Sequence, residues 1–434
     1  MNEKGVRVAP LRLGIAGLGH VGSGLVELIG RQSRLRLPGA VEIGGLSARS
    51  RSRNRVVDIE PFPWFDDAAE LAASDTIDAF VELIGGSDGP AKLAVEAALK
   101  AGKPVVTANK ALIAAHGHHL AELAEANGVD LLFEAAVAGG VPVVRTLRDS
   151  LSGVEVSRVA GILNGTCNFL TTEMLATGRS YEEVLAEAQA LGYAEADPTL
   201  DVSGMDAAHK IAILSAIAFS ADLDFSKVDI KGVDRVELLD LRMADRLGYR
   251  IKLIAEGVQR DGGVVCRVEP LALGFGHPLA YVDGSLNTVR IEGDPLGAIT
   301  LTGPGAGAGP TASAVMGDIA KLFNPGVRSA FGHAEHHPTL KFVGASRSET
   351  SAFFLRVLLA DRSGALASLS EALAAEGVSV DKLFQDSADA EGNAPVAIVT
   401  HLCARAEMEA AVDRLAGLET VVDAARLIRI ETGN

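Results

Sequence analysis

From Arg12 to Ile29 the chain reads RLGIAGLGHVGSGLVELI: a short apolar run, then Gly17, Gly19 and Gly22 in G-x-G-x-x-G spacing, then a helical pattern. Few folds accept that combination. The first glycine permits a tight turn, the second lets a pyrophosphate approach the backbone, and the third lets helix and strand pack closely. The helix N-terminus then points N–H groups at the phosphates. An α/β dinucleotide-binding domain is therefore expected at the start of the chain.

The next strand, Val41 to Leu46, is followed by Ser47, Ala48 and Arg49 and by Arg51, Arg53 and Arg55, with no carboxylate where a ribose hydroxyl would need one. An arginine at this end holds a 2′-phosphate, so NADP is favoured, with NAD possible. Helical and strand patterns then alternate: a helix near 66–73, a strand at 77–84, a helix at 90–101, a strand at 103–106 and a helix near 111–127. That alternation predicts a doubly wound parallel sheet. Gly85-Gly86-Ser87 and the turn Thr107 to Lys110 both fall at strand C-termini, where open α/β sheets place their ligands. Lys110, opening a helix whose dipole disfavours a cation there, is a site candidate.

Val129 to Val143 begins as a buried strand and breaks into Gly-Gly and Pro beside Glu134, either to coordinate a hard cation through oxygens or to cross between domains. Asn164-Gly165-Thr166 is a binding turn or only a turn. Leu191 to Lys210, LGYAEADPTLDVSGMDAAHK, is the densest polar constellation. Glu195, Asp197 and Asp201 occupy a loop, and Ser203 with Asp206 has the spacing of a capping box. Asp206 and Lys210, four apart, share one helix face. From 225 to 302, alternating runs predict a second, antiparallel sheet. The glycine-dense loop 301–310 allows close backbone approach to the cofactor. Residues 324–349, with His333, His336 and His337, have no clear period and read as a linker; their spacing fits no standard metal site. The remainder follows a strand-helix-strand-strand-helix-strand order, a small ferredoxin-like domain.

With 434 residues and 48% hydrophobic content, two or three domains are expected, and no apolar run is long enough to span a membrane. The first ten residues lack the core of a signal peptide, so a soluble, cytoplasmic protein is expected. A net charge of −16 argues against nucleic acid or anionic membranes as partners. Cys167, Cys266 and Cys403 are widely spaced and read as reduced structural thiols. An aldehyde dehydrogenase working through a thiohemiacetal would need a nucleophilic cysteine, for which Cys167 is the only candidate in a motif.

GLGHVGSG, VELIGG, TANKALI, EAAVAGGVP, GILNGTCNF, the 191–210 stretch and GPGAGAGPTASAV together resemble homoserine dehydrogenases that carry a C-terminal ACT domain. The resemblance implies a Rossmann-type domain over 1–140, completed by 303–325; an α+β substrate-binding, catalytic and dimerisation domain over 141–302; a linker over 326–349; and a ferredoxin-like ACT regulatory domain over 350–434. It implies NAD(P)-dependent interconversion of aspartate 4-semialdehyde and homoserine by a homodimer or homotetramer. Lys210 would transfer the proton, Glu195 and Asp206 would hold the substrate with Asp201 as a further acidic position, and Lys110 would stand between cofactor and substrate. Gly17, Gly19, His20, Val21, Gly22, Arg49, Gly86 and Gly307 would serve the cofactor. Glu134, Val137, Gly139 and Val141 would bind sodium or potassium, mostly through carbonyls. Threonine is the expected effector, with the turn Asp361-Arg362-Ser363-Gly364 offering N–H groups to its carboxylate.

Overall fold

The structure, a computed structural model, describes residues 9–194, 197–260, 262–324, 329–332, 340–346 and 348–431. Glu195 and the histidines at 333, 336 and 337 lie outside the described residues.

Leu13 and Ile15 are fully buried in β1 (Leu11–Ala16), which leads through the glycine turn into α1 (His20–Gly30). There follow β2 (Val41–Ser47), β3 (Trp64–Phe65), α2 (Ala68–Ala73), β4 (Ala79–Glu82), α3 (Pro90–Lys100), β5 (Val105–Thr107), α4 (Lys110–Ala126) and β6 (Leu131–Leu132). The six strands are parallel in the order β3-β2-β1-β4-β5-β6. Chain direction reverses its progress across the sheet between β1 and β4, which opens a crevice above their C-terminal ends. A helix far along the chain, Ala308–Lys321, closes this layer: Ala312, Val315, Met316 and Ile319 share one apolar cluster with Leu25, Val26 and Ile29. Gly24 makes the fit possible, since a Cβ there would lie 3.1 Å from the Ala308 carbonyl oxygen.

The second sheet is continuous from the strands between residues 155 and 304 into the ferredoxin-like unit. Its path is Gly297–Pro304, Leu286–Asp294, Glu155–Ile162, Tyr249–Arg260, Gly263–Gly274, Arg426–Glu431, Thr350–Ala360, Asn393–Thr400 and Val380–Gln385. The last four strands, covered by helices Ala365–Ala375 and Arg405–Ala416, form the expected βαββαβ unit. That unit is joined by main-chain pairing: Arg426–Glu431 runs parallel to Gly263–Gly274 through Leu271↔Arg429 and Ala272↔Ile430. The segment read as a linker also contributes structure. Leu340–Val343 pairs with Gly263–Gly274 and with Ala221–Asp222, and buried Phe331 stacks on His118. Four strand residues are too few to display a period, so only partners elsewhere in the chain define this element.

Charges thread the joined sheet. Glu256 is buried and accepts from Arg158 Nε at 2.8 Å, Arg267 Nε at 3.0 Å and Arg429 Nη2 at 2.7 Å, from three strands that with its own make four adjacent ones. Arg267 also grips Glu349 with two bonds of 2.7 Å. Burial alone would raise the Glu256 pKa, but the three guanidinium groups outweigh it and bring the carboxyl from 4.5 down to about 2. A carboxyl depressed on folding lends stability that is complete above its unfolded value and is lost as pH falls toward its folded value. Glu256→Gln is therefore expected to lower the unfolding free energy at pH 7 by about 3 kcal/mol and to flatten the loss of stability between pH 4.5 and about 2. Urea titrations across that range read both effects; an unchanged acid limb would contradict the assignment.

Candidate active site

The glycine turn is shaped by contacts that only glycine allows. Gly17 has φ of 96°, and a Cβ on Gly22 would lie 2.0 Å from the Gly17 carbonyl oxygen. Gly19 has nothing within 4 Å of the place a Cβ would take, leaving a cradle open at the start of α1. Glu82, buried at the end of β4, accepts from the N–H groups of Ile84 and Gly85 at 2.8 and 3.0 Å and from the Thr107 hydroxyl. Asn109 donates to the Gly86 carbonyl at 2.7 Å and caps α4 by accepting from Leu112 N at 3.1 Å. Glu82 and Asn109 thus hold together the two turns that the sequence pattern points to. Sequence reasoning missed both; the only signal is a lone carboxylate ending an apolar strand.

The second wall is the start of the helix Met205–Phe219. The capping box does not form: Gly204, with φ of 85°, precedes the helix, and the Ser203 hydroxyl turns back to the Leu200 carbonyl. The Asp206 carboxylate is drawn instead to cations. It pairs with Lys110 Nζ at 3.0 Å and Lys210 Nζ at 2.7 Å, and accepts from Asn164 Nδ2 at 2.9 Å. Lys210 Nζ also donates to the Leu163 carbonyl at 2.6 Å. Burial pushes Asp206 up, but the two ammonium groups and the hydrogen bonds prevail and hold it well below the usual carboxylate range. Asp201 goes the other way. Burial and the charge of Asp206 raise it, although Asn164 Nδ2 at 2.9 Å and the Thr166 hydroxyl at 3.2 Å support its ionised form. The turn Asn164-Gly165-Thr166 therefore belongs to the site. Cys167 is fully buried with its thiol pushed far up by burial, and its Sγ donates to the Asp201 carbonyl, which removes it as a nucleophile.

A cleft of about 740 Å³ runs between these walls, lined by Val21, Lys110, Gly139, Asn164, Asp201, Asp206, Lys210 and Gly307 among others. Gly86 holds Asn109, and Arg49 stands exposed just past β2 with no ion pair to any described residue. Of its neighbours, Arg51 pairs with Glu60, and Arg55 is spent on the carbonyls of Ser50, Arg51 and Arg53. Glu134 directs its carboxylate away from the cleft, to the N–H groups of Val144 and Arg145 and to Arg145 Nε at 2.8 Å, while its own N–H donates to Asp318. The backbone just after it is left-handed at Ala138 and Gly139, with φ of 54° and 48°. Among the described residues no group of three or more His, Cys, Asp or Glu side chains is arranged to hold a metal ion.

A dinucleotide cradle that opens into a pocket built on lysines is the arrangement of an NAD(P)-dependent oxidoreductase acting on a CH–OH group. The family model for the homoserine dehydrogenase NAD-binding domain matches residues 17–134, that for homoserine dehydrogenase 142–320, and that for the ACT domain 353–420. The chain belongs to the homoserine dehydrogenase family. It is 39% identical to a homoserine dehydrogenase of Pseudomonas aeruginosa, over 98% of this chain and all of that one. A solved homoserine dehydrogenase of Thiobacillus denitrificans superposes with a TM-score of 0.89 at 34% identity, covering 98% of this chain and 99% of that one. A hyperthermophilic archaeal homoserine dehydrogenase solved with NADPH gives 0.63 at 27% identity, over 74% of this chain and all of that one.

The two glycines of the turn should separate by measurement. Gly22→Ala forces a Cβ against backbone and is expected to lower the melting temperature and weaken dinucleotide binding together. Gly19→Ala meets no protein atom, so it should leave the melting temperature within about 2 °C while weakening the dinucleotide by tenfold or more, or about 1.4 kcal/mol. Equal behaviour of the two variants would remove the cradle assignment.

Proposed function

We propose that the protein interconverts L-aspartate 4-semialdehyde and L-homoserine with NADP(H), NAD being possible, in the threonine and methionine branch of aspartate-family biosynthesis in the cytoplasm. The observation that carries this is Asp206 shared between Lys110 and Lys210, all three lining the cleft. The nicotinamide supplies or removes the hydride at the substrate carbon. Lys210 lines the cleft, and two of the three N–H groups of its ammonium are committed to Asp206 and Leu163. Its remaining proton would go to the alkoxide as the aldehyde is reduced and return in the reverse direction. Asp206, kept ionised, holds Lys210 in place and with Glu195 takes up the substrate ammonium, Asp201 adding a further acceptor. Lys110 neutralises the second Asp206 oxygen where cofactor and substrate meet. Arg49, uncommitted at the end of β2, would take the 2′-phosphate, alongside Gly17, Gly19, His20, Val21, Gly22, Gly86 and Gly307 around the dinucleotide.

A sodium or potassium ion would be held by carbonyls of Glu134, Val137, Gly139 and Val141. The left-handed backbone at Ala138 and Gly139 supports a carbonyl-based site, and the Glu134 carboxylate, spent on Arg145, favours the main-chain contribution of that residue. The ion would fix the crossover between the two domains.

Lys210→Ala is expected to lower turnover ~10²-fold or more while leaving dinucleotide affinity nearly intact. Near wild-type turnover by the folded variant, followed at the nicotinamide absorbance with homoserine and NADP, would overturn the assignment.

The ACT domain is read as a threonine sensor in a homodimer or homotetramer, with the turn 361–364 as the carboxylate contact. Support comes from Gly364, left-handed at φ 90°, which leads into the helix Ala365–Ala375 and leaves N–H groups at an exposed helix start. Because Arg426–Glu431 pairs with the catalytic sheet, removing the domain would bare that sheet, so the full chain is the right object for the test. Millimolar threonine should lower turnover and give a calorimetric binding isotherm. No inhibition and no heat would leave the domain structural.

A further inference from the structure

A cavity of about 120 Å³ lies where the ACT domain joins the catalytic sheet, lined by Lys231 and Glu269 from the one and by Phe353, Leu427 and Arg429, among others, from the other. Three cationic and three acidic residues line it in all, so their charges balance. An anion such as phosphate would meet as much repulsion as attraction there, and an apolar ligand would leave the charges without partners. Glu269, 7% exposed, accepts from Arg429 Nε at 2.8 Å through Oε1, and Arg429 Nη2 donates to Glu256 at 2.7 Å. Glu269 Oε2 and Arg429 Nη1 bond to no described residue, and neither atom is sealed from solvent. Lys231 is exposed: its N–H donates to the Val268 carbonyl at 2.7 Å, and its Nζ has no hydrogen bond or ion pair among the described residues. The residues around the cavity thus keep one acceptor and two cationic donors uncommitted, together with the apolar surface of half-buried Leu427 and of Phe353, which is 4% exposed.

We propose that this cavity binds a small α-amino acid as its zwitterion, with the carboxylate on Lys231 and Arg429 and the ammonium on Glu269. The two charged groups of such a molecule are neighbours on one carbon, as the free ends of the Glu269–Arg429 pair are neighbours across one hydrogen bond. Phe353 and Leu427 then cover its side chain. One water takes about 10–15 Å³ of such space, so the cavity suits about eight to twelve non-hydrogen atoms, the size of serine, threonine or valine and well short of tryptophan. The site is distinct from the turn 361–364: Phe353 and that turn stand toward opposite ends of the strand Thr350–Ala360, about 25 Å apart at the rise of an extended chain. A ligand here bridges the two parts of the joint and touches Arg429, whose other partner, Glu256, is held by Arg158 on the strand that ends at Leu163 and Asn164. It would therefore bear on the cleft through that strand, by binding one arrangement of the joint better than another.

The test is calorimetric titration of the full-length chain with L-serine, L-threonine and L-valine, and with L-tryptophan, which is too large for the space. At least one of the first three is expected to bind and L-tryptophan is not. The amino acid that binds is then compared with its own amide, which keeps the ammonium and lacks the carboxylate. Wild type should prefer the acid by about tenfold, and in Lys231→Met that preference should shrink to about twofold. Glu269→Gln should instead weaken acid and amide alike, since both carry the ammonium. The ratio is internal to each protein, so a general loss of stability does not mimic it, and Lys231, exposed and unbonded at Nζ, can be replaced without disturbing the fold. Binding of none of the three at millimolar concentration would overturn the proposal. A preference kept in full by Lys231→Met would overturn it too, and would assign the bound amino acid to the turn 361–364 instead.

Discussion

Asp206 is a buried carboxylate whose ionised form survives only because two ammonium groups from different parts of the chain reach it. Lys110 comes from the first residue of α4 in the nucleotide-binding layer, and Lys210 lies one turn along the same helix as Asp206. Removing such a charge from water is costly unless it is paired and hydrogen-bonded, so the pairing also fixes the geometry between the two domains that bound the cleft. Much of the surrounding structure follows from satisfying this one anion. Asn164 spends its Nδ2 on Asp206 and Asp201 and its Oδ1 on the start of the next helix, and the Leu163 carbonyl anchors the far side of Lys210. The helix has no side-chain cap because its N-cap is Gly204 and the Ser203 hydroxyl turns back to Leu200.

The same solution recurs where the ACT domain meets the catalytic sheet. Glu256 is a second buried carboxylate, held by arginines on the strands to either side, and Arg429 belongs to the ACT domain itself. Main-chain pairing between Leu271 and Arg429 makes the joint continuous. Arg158, one of the three arginines, lies on the strand Glu155–Ile162, whose end runs directly into Leu163 and Asn164. A shift of the last ACT strand would therefore act on a strand that ends at the site, through contiguous hydrogen bonds. That is a physical connection through which a two-state element would couple the domains.

Local patterns in the sequence were sufficient for the nucleotide-binding domain. G-x-G-x-x-G after an apolar run specifies the β1–α1 turn because each glycine answers a steric demand within a few residues, and alternating strands and helices specify the sheet order. The βαββαβ order of the last segment was legible for the same reason, since each element is long enough to show its own period. Lys110, Asp206 and Lys210 were recognisable as candidates by position at strand and helix ends.

Tertiary structure decided what depends on groups distant in the chain. Nothing local indicates that Leu340–Val343 is a strand or that the last strand joins the catalytic sheet, because those choices follow from which unpaired backbone edges remain once the larger elements are placed. Nor does spacing reveal that Ser203 and Asp206 decline to form a capping box or that Glu134 spends its carboxylate on Arg145. A carboxylate takes the strongest donors within reach, and reach is a property of the folded chain. The sequence by itself marked which residues are candidates for the chemistry; only the fold determined which of them are already occupied with one another.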